Sequence, residues 1–112
     1  MPHCVIEYSQ DLQIHFNQSN FSNMISKKLI DSDLFDPNTI KIRAMKYDDY
    51  LVANTSKPFI AISVKLMPGR SKFQLESLAT KILKCLESKF DFFVEITIEF
   101  IEINPQFYFK NS

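Results

Sequence analysis

Hydrophobic and polar residues alternate in some stretches of this chain and recur every three or four positions in others. The switches between the two periods divide it into elements. Residues 3–8 are rich in β-formers and close on Ser9, which predicts a strand. From residue 11 to about residue 30 the period is helical. Phe21, Met24, Ile25 and Leu29 share a stripe, Leu12 and Phe16 extend it toward its start, and Lys27 and Lys28 lie opposite. The acidic and amide residues around Pro37 end that helix. Residues 39–47 alternate, with Ile40, Ile42 and Ala44 facing one way and Lys41, Arg43 and Met45 the other. Residues 59–67 form another strand, in which Ile60, Ile62, Val64 and Leu66 share a face. Ser71 and Gln74 have the spacing of a capping box ahead of a second amphipathic helix, striped by Leu75, Leu78, Ala79, Ile82 and Leu86. Residues 94–101 alternate again, and residues 107–109 add a short extended tail after Pro105.

The predicted order is β-α-β-β-α-β, a strand-helix-strand unit repeated without matching residue identities. It predicts one α+β domain over residues 1–112, with the two units paired into a four-stranded sheet and both helices on one face. Lys41, Arg43, Glu95 and Glu99 then point to the other face, which is either solvated or closed against further subunits.

Composition narrows the function classes. Thirteen basic and thirteen acidic residues balance, leaving no electrostatic footprint for nucleic acid or an anionic membrane. Eleven Phe without a Trp predict a large buried surface, subunit contacts included. Cys4 and Cys85 lie far apart within apolar patterns and read as small buried hydrophobes. No secretory leader pattern opens the chain, and no apolar run approaches the roughly 20 residues that span a bilayer. A cytosolic, cytoplasmic location is expected.

The candidate chemistry starts at Pro2. Methionine aminopeptidase removes Met before a small residue, and the mature chain would then begin with a secondary amine, which an internal proline never offers. An α-amino group titrates near roughly 7.7–8.0, and burial or nearby cations lower it into the range useful for general acid–base catalysis. Arg70 follows Gly69, the only glycine, and precedes the Ser71 helix start. It is either a turn residue paired with Glu76 or part of a carboxylate seat made with the helix N-terminus. Lys41 and Arg43 share a strand face, as solvated charges or as further anion ligands. His3 is expected to pack or hydrogen-bond beside the N-terminus, and it forms no metal cluster with His15. Glu7 is expected to hold structure through a salt bridge. The chain carries no phosphate loop, Ser-His-Asp arrangement or dinucleotide fingerprint.

Taken together, Met-Pro-His-Cys-Val-Ile-Glu at the start, Ile40-Lys-Ile-Arg43, residues 64–71 (Val-Lys-Leu-Met-Pro-Gly-Arg-Ser) and residues 102–110 of the tail resemble the 5-carboxymethyl-2-hydroxymuconate Δ-isomerase family of the tautomerase superfamily. The resemblance covers essentially the whole chain. It implies a homotrimer whose sheets line a central barrel, with no metal and no organic cofactor. It implies isomerisation of a small unsaturated di- or tricarboxylic acid, as in aromatic compound degradation. Pro2 is then the catalytic amine, Arg70 a catalytic cation, and Arg43 and Lys41 substrate-binding residues. Lys41 stands where the family motif has an arginine; it keeps the charge and loses the planar fork. The tail is also shorter. A non-catalytic trimeric binding or signalling protein on the same scaffold is the alternative.

Overall fold

A computed structural model describes residues 1–14 and 18–111. Strands β1 (Pro2–Ser9), β2 (Lys41–Tyr47), β3 (Phe59–Leu66) and β4 (Glu95–Glu102) form one sheet in the order β2-β1-β3-β4. Within each unit the strands run parallel, β1 with β2 and β3 with β4, and each crossover carries a helix, α1 (Gln18–Asp31) or α2 (Lys72–Glu87). The units join through antiparallel pairing of β1 with β3, from Pro2 opposite Leu66 to Tyr8 opposite Ile60. Pro58 leads into β3 much as Pro2 opens β1, and its carbonyl accepts from the Glu95 N–H at 3.2 Å.

The alternation seen in the sequence decides which face is covered. Cys4, Ile6 and Tyr8 of β1 and Ile60, Ile62, Val64 and Leu66 of β3 are buried beneath Phe21, Ile25 and Leu29 of α1 and Leu78, Ile82 and Leu86 of α2. Tyr8 packs on Phe21 with ring centroids 4.8 Å apart. Each such side chain contributes roughly 1.5–3 kcal/mol on burial. The opposite face has no helix over it. Lys41, Arg43 and Met45 of β2 and Glu95, Thr97, Glu99 and Ile101 of β4 are exposed there. The β2 edge is therefore basic and the β4 edge acidic.

Three expectations need correction. The first helix does not run unbroken from residue 11. Gln10–Ile14 is a 3-10 turn and α1 starts at Gln18, while His15 and Phe16 lie outside the described residues. Leu12 matched the helical stripe because it shares the core with it, burying itself from the 3-10 turn. Strand β2 starts at Lys41 because Pro37–Thr39 forms a 3-10 turn capped by the Asp36 carboxylate. The tail is not extended from Phe107, because the Asn104 side chain accepts from the Gln106 N–H and caps a 3-10 turn over Pro105–Phe107. The phenylalanines are also less central than their number implies. Phe21 and Phe35 are buried, whereas Phe73, Phe93, Phe107 and Phe109 are exposed.

The connection from β3 to α2 follows the sequence reading. Ser71 Oγ accepts from the Gln74 N–H at 3.1 Å, and the Gln74 side chain accepts from the Ser71 N–H at 2.9 Å. Gly69 has φ +127°, which side-chain-bearing residues rarely adopt, although a Cβ there would meet no neighbour. Two predictions follow from this turn. Ser71→Ala lowers stability by about 1 kcal/mol through loss of the cap. Gly69→Ala lowers it by about 1–3 kcal/mol through backbone strain alone. Both are checked by urea denaturation, as a shift in midpoint with the slope unchanged.

Candidate active site

Strand β1 is internal to the sheet, hydrogen-bonded to β2 on one side and β3 on the other, so its first residues are held on both flanks. Pro2 is buried, with its side chain on the helix-covered face beside Cys4 in the alternation. The chain's amino group therefore sits at the rim of the core. Partial burial holds that amine, carried here by Met1, below its ordinary 8.0. Lys41, Lys110 and Arg70 push it the same way, and Asp36 opposes them. Cations on three separate segments of the chain thus lower the pKa of its amino group.

Lys41 reaches it because the register of β1 with β2 sets it opposite His3. Its ammonium donates to the Thr39 carbonyl at 3.3 Å. Arg70 acts on it from the turn before α2, without the Glu76 pairing weighed from the sequence. Its guanidinium donates from Nε and Nη2 to the Leu34 carbonyl, at 3.2 and 2.7 Å, and from Nη1 to the Met67 carbonyl at 3.1 Å. The guanidinium carbon stands 4.8 Å above the centre of the buried Phe35 ring. These hydrogen bonds go to backbone carbonyls and not to Glu76. Three of its five N–H groups are engaged and two are left for a ligand. Arg70 is thus a strut tying the α1–β2 connection of the first unit to the β3–α2 turn of the second, with donor capacity to spare.

Arg43 lies apart from the amine. It pairs in register with Val5 on the face without helices, and its charge acts on His3 and Cys4. Two residues along a strand separate it from Lys41, about 7 Å. His3 also lies on that face, held below its ordinary 6.5 by burial, then by Lys41, Arg43, the terminal amine and Lys65. It behaves as the sequence predicts, hydrogen-bonding beside the N-terminus: its Nε2 lies 2.9 Å from the Tyr108 hydroxyl. Glu7 holds structure too, but as the acceptor of the Tyr47 hydroxyl and not in a salt bridge. That bond raises the Tyr47 pKa. Cys4 is buried and its thiol is pushed up to about 12, the behaviour of an inert core residue.

A groove of about 450 Å³ runs between α2 and β4, lined by Arg70, Lys72, Leu75, Glu76, Phe100 and Glu102 among others. Glu102 pairs with Leu66, which pairs with Pro2. The groove therefore lies two strand spacings, about 10 Å, from the amine, with Arg70 between them. Among the described residues, no three His, Cys, Asp or Glu side chains gather as metal ligands would, and no helix is long and apolar enough to cross a membrane. Sequence reasoning missed Lys110. A lone lysine in a tail carries no local signal, and only the fold brings it to the amine.

The comparisons with known proteins agree with this fold. The sequence profile of the 5-carboxymethyl-2-hydroxymuconate isomerase family matches residues 2–112. A search of curated proteins finds no significant match. Among solved structures, a 5-carboxymethyl-2-hydroxymuconate isomerase from Deinococcus radiodurans R1 superposes with a TM-score of 0.85 at 19% identity, over 99% of this chain and 89% of that one. The macrophage migration inhibitory factor of Trichinella spiralis superposes at 0.77 and 11% identity, over 98% and 96% of the two chains. A fused 4-OT protein described as a symmetric trimer superposes at 0.72 and 17% identity, over 95% and 91%. At these identities the superpositions establish the tautomerase fold, and the family match establishes the rest: the chain belongs to the 5-carboxymethyl-2-hydroxymuconate isomerase family and is an isomerase.

Proposed function

We propose that this protein is a cofactor-independent isomerase that moves a proton within an unsaturated di- or tricarboxylic acid resembling 5-carboxymethyl-2-hydroxymuconate, with Pro2 as the base. The observation that supports the reading is the placement of Pro2, buried, at the head of a strand hydrogen-bonded on both sides, with Lys41 set in register opposite His3; burial, and then Lys41, Lys110 and Arg70, lower the pKa of the terminal amine. The family match, which starts on residue 2, supports it. Removal of Met1 in the cytosol frees the Pro2 nitrogen as a secondary amine. The neutral amine takes a proton from a carbon of the substrate: a C–H bond breaks, an N–H bond forms, and the electron pair spreads along the conjugated acid. The cationic amine then returns the proton two carbons away on the same face as the double bond shifts. Nothing is oxidised or reduced. Lys41 and the two free N–H groups of Arg70 stabilise the charge that develops on the substrate's oxygens. Arg43, about 7 Å from Lys41 along β2, is spaced to receive a second carboxylate.

The same reading includes a homotrimer. The face without helices and the opposite charges of the two sheet edges favour it. The β2 edge of one copy would meet the β4 edge of the next through strand pairing, and repeating that head-to-tail contact closes a ring. The exposed phenylalanines supply apolar surface for the contact. The charge pattern disfavours a symmetric pairing of like edges.

Three outcomes test these assignments. Intact mass of the purified protein is one methionine below that of the full sequence; a retained Met1 makes the Pro2 nitrogen an amide and leaves a binding or signalling role on this scaffold. Pro2→Ala, in a chain whose mass confirms removal of Met1, lowers kcat about 10²- to 10⁴-fold on an unsaturated oxo or hydroxy acid substrate, and unchanged turnover refutes the assignment. The acid limb of the kcat/KM profile lies below the ordinary 8.0, because the Pro2 amine takes the surroundings in which burial, and then the nearby cations, lower the Met1 amine, and so stays neutral to lower pH. Lys41→Met moves that limb upward, toward 8.0.

A further inference from the structure

The last residues of the chain are fastened across the sheet by a sequence of specific bonds. The Ile103 N–H donates to the Leu66 carbonyl at 2.7 Å, extending the β3–β4 pairing by one residue. Asn104 caps the 3-10 turn over Pro105–Phe107, and the turn redirects the chain from the β4 edge back toward β1. There Tyr108 meets His3. The hydroxyl lies 2.9 Å from Nε2, and the rings pack edge to face with centroids 5.9 Å apart. Tyr108 is half-buried, while Phe107 and Phe109 on either side are 75% and 85% exposed. The tail thus crosses the amino end of β1 as a strap pinned by one inward residue. Lys110 comes two positions after Tyr108, the spacing at which extended backbone returns a side chain to the same side.

We propose that Lys110 binds a carboxylate of the ligand at the Pro2 site, and that the Tyr108–His3 contact is the clamp that holds it there. The inference deepens the reading of Pro2 as the base and rests on it. The ligand class is a molecule with at least two carboxylates, one taken by Arg43 of β2 and another by Lys110 of the strap, with Lys41 left to the charge that develops beside the amine. The charge pattern agrees. Of the groups acting on the terminal amine, Lys110 stands second among the charges, after Lys41 and before Arg70, and Asp36 is the one carboxylate opposing them. The strap therefore adds a cation to those, Lys41 and Arg70, that lower the amine's pKa from β2 and from the turn before α2. His3 and Tyr108 act through Lys110 and are positioning residues.

The test uses the full chain and glutarate, an unreactive five-carbon dicarboxylate, with affinity measured by calorimetry. Lys110→Met weakens glutarate binding about tenfold, the loss of one charge-assisted contact, and Lys110→Arg largely restores it. Tyr108→Phe weakens it severalfold while Lys110 is present. In the double variant Tyr108→Phe adds nothing to Lys110→Met, because clamp and ligand act as one unit. A second readout is the titration of the terminal amine followed by ¹⁵N NMR, whose midpoint rises in Lys110→Met. Equal glutarate affinity in wild type and Lys110→Met overturns the inference. So do additive effects of the two substitutions, or no glutarate binding by wild type. The failures are separable. A chain that retains Met1 and turns nothing over removes the Pro2 reading, yet its amine still titrates and its glutarate affinity can still be compared. A Pro2-dependent isomerase indifferent to Lys110→Met removes this inference alone.

Discussion

Hydrogen bonding along both sides of β1 is the constraint from which the site follows. A chain terminus ordinarily frays, because its backbone groups are served equally well by water. Here the first residues are paired with β3 from Pro2 and with β2 from His3. The amino group is therefore fixed where a register-locked lysine, an arginine-bearing turn and a returning tail can all be directed at it. Burial alone lowers an amine's basicity modestly; placing cations around a fixed amine lowers it further and creates a seat for anions in the same step.

Arg70 illustrates how stability and chemistry share one side chain. Two backbone carbonyls and an aromatic face hold its guanidinium, so its geometry is set before any ligand arrives. Preorganised charge of this kind costs little reorganisation when negative charge develops nearby. The same bonds tie the turn at residues 34 and 35 to the turn at residues 67–70, so the two units cannot shift relative to each other without disturbing the cation. A lysine in that place would keep the charge and lose the fork that reaches both carbonyls.

Much of the fold was legible because its signals are local. The alternation of β2, β3 and β4 names the covered face correctly, and the Ser71–Gln74 spacing forms the capping box it predicts. Pro2, Lys41 and Arg70 were singled out from the sequence, partly through a family resemblance. What was not legible depends on contacts between distant residues. The bonds that anchor Arg70 join residues 36 apart, and the His3–Tyr108 contact joins residues 105 apart. Neither has a sequence period or motif, so the structural role of Arg70 and the presence of Lys110 emerge only once the sheet is assembled. The break in the first helix was missed for a related reason, since Leu12 obeys the helical stripe without belonging to α1.

The two units also differ where their topology makes them alike. Pro58 stands before β3 as Pro2 stands at the head of β1, but its nitrogen lies mid-chain, an amide without basicity. Beside it, the edge strand offers Glu95 where the first unit offers Lys41. Joining two such halves end to end leaves a single free amino end for every pair of strand heads. A threefold particle of the kind proposed would then hold three reactive centres and three silent pseudo-centres, each with Glu95 in the place of the cation Lys41. The silent half is thereby released from chemistry, and its surface is free to diverge in the service of assembly.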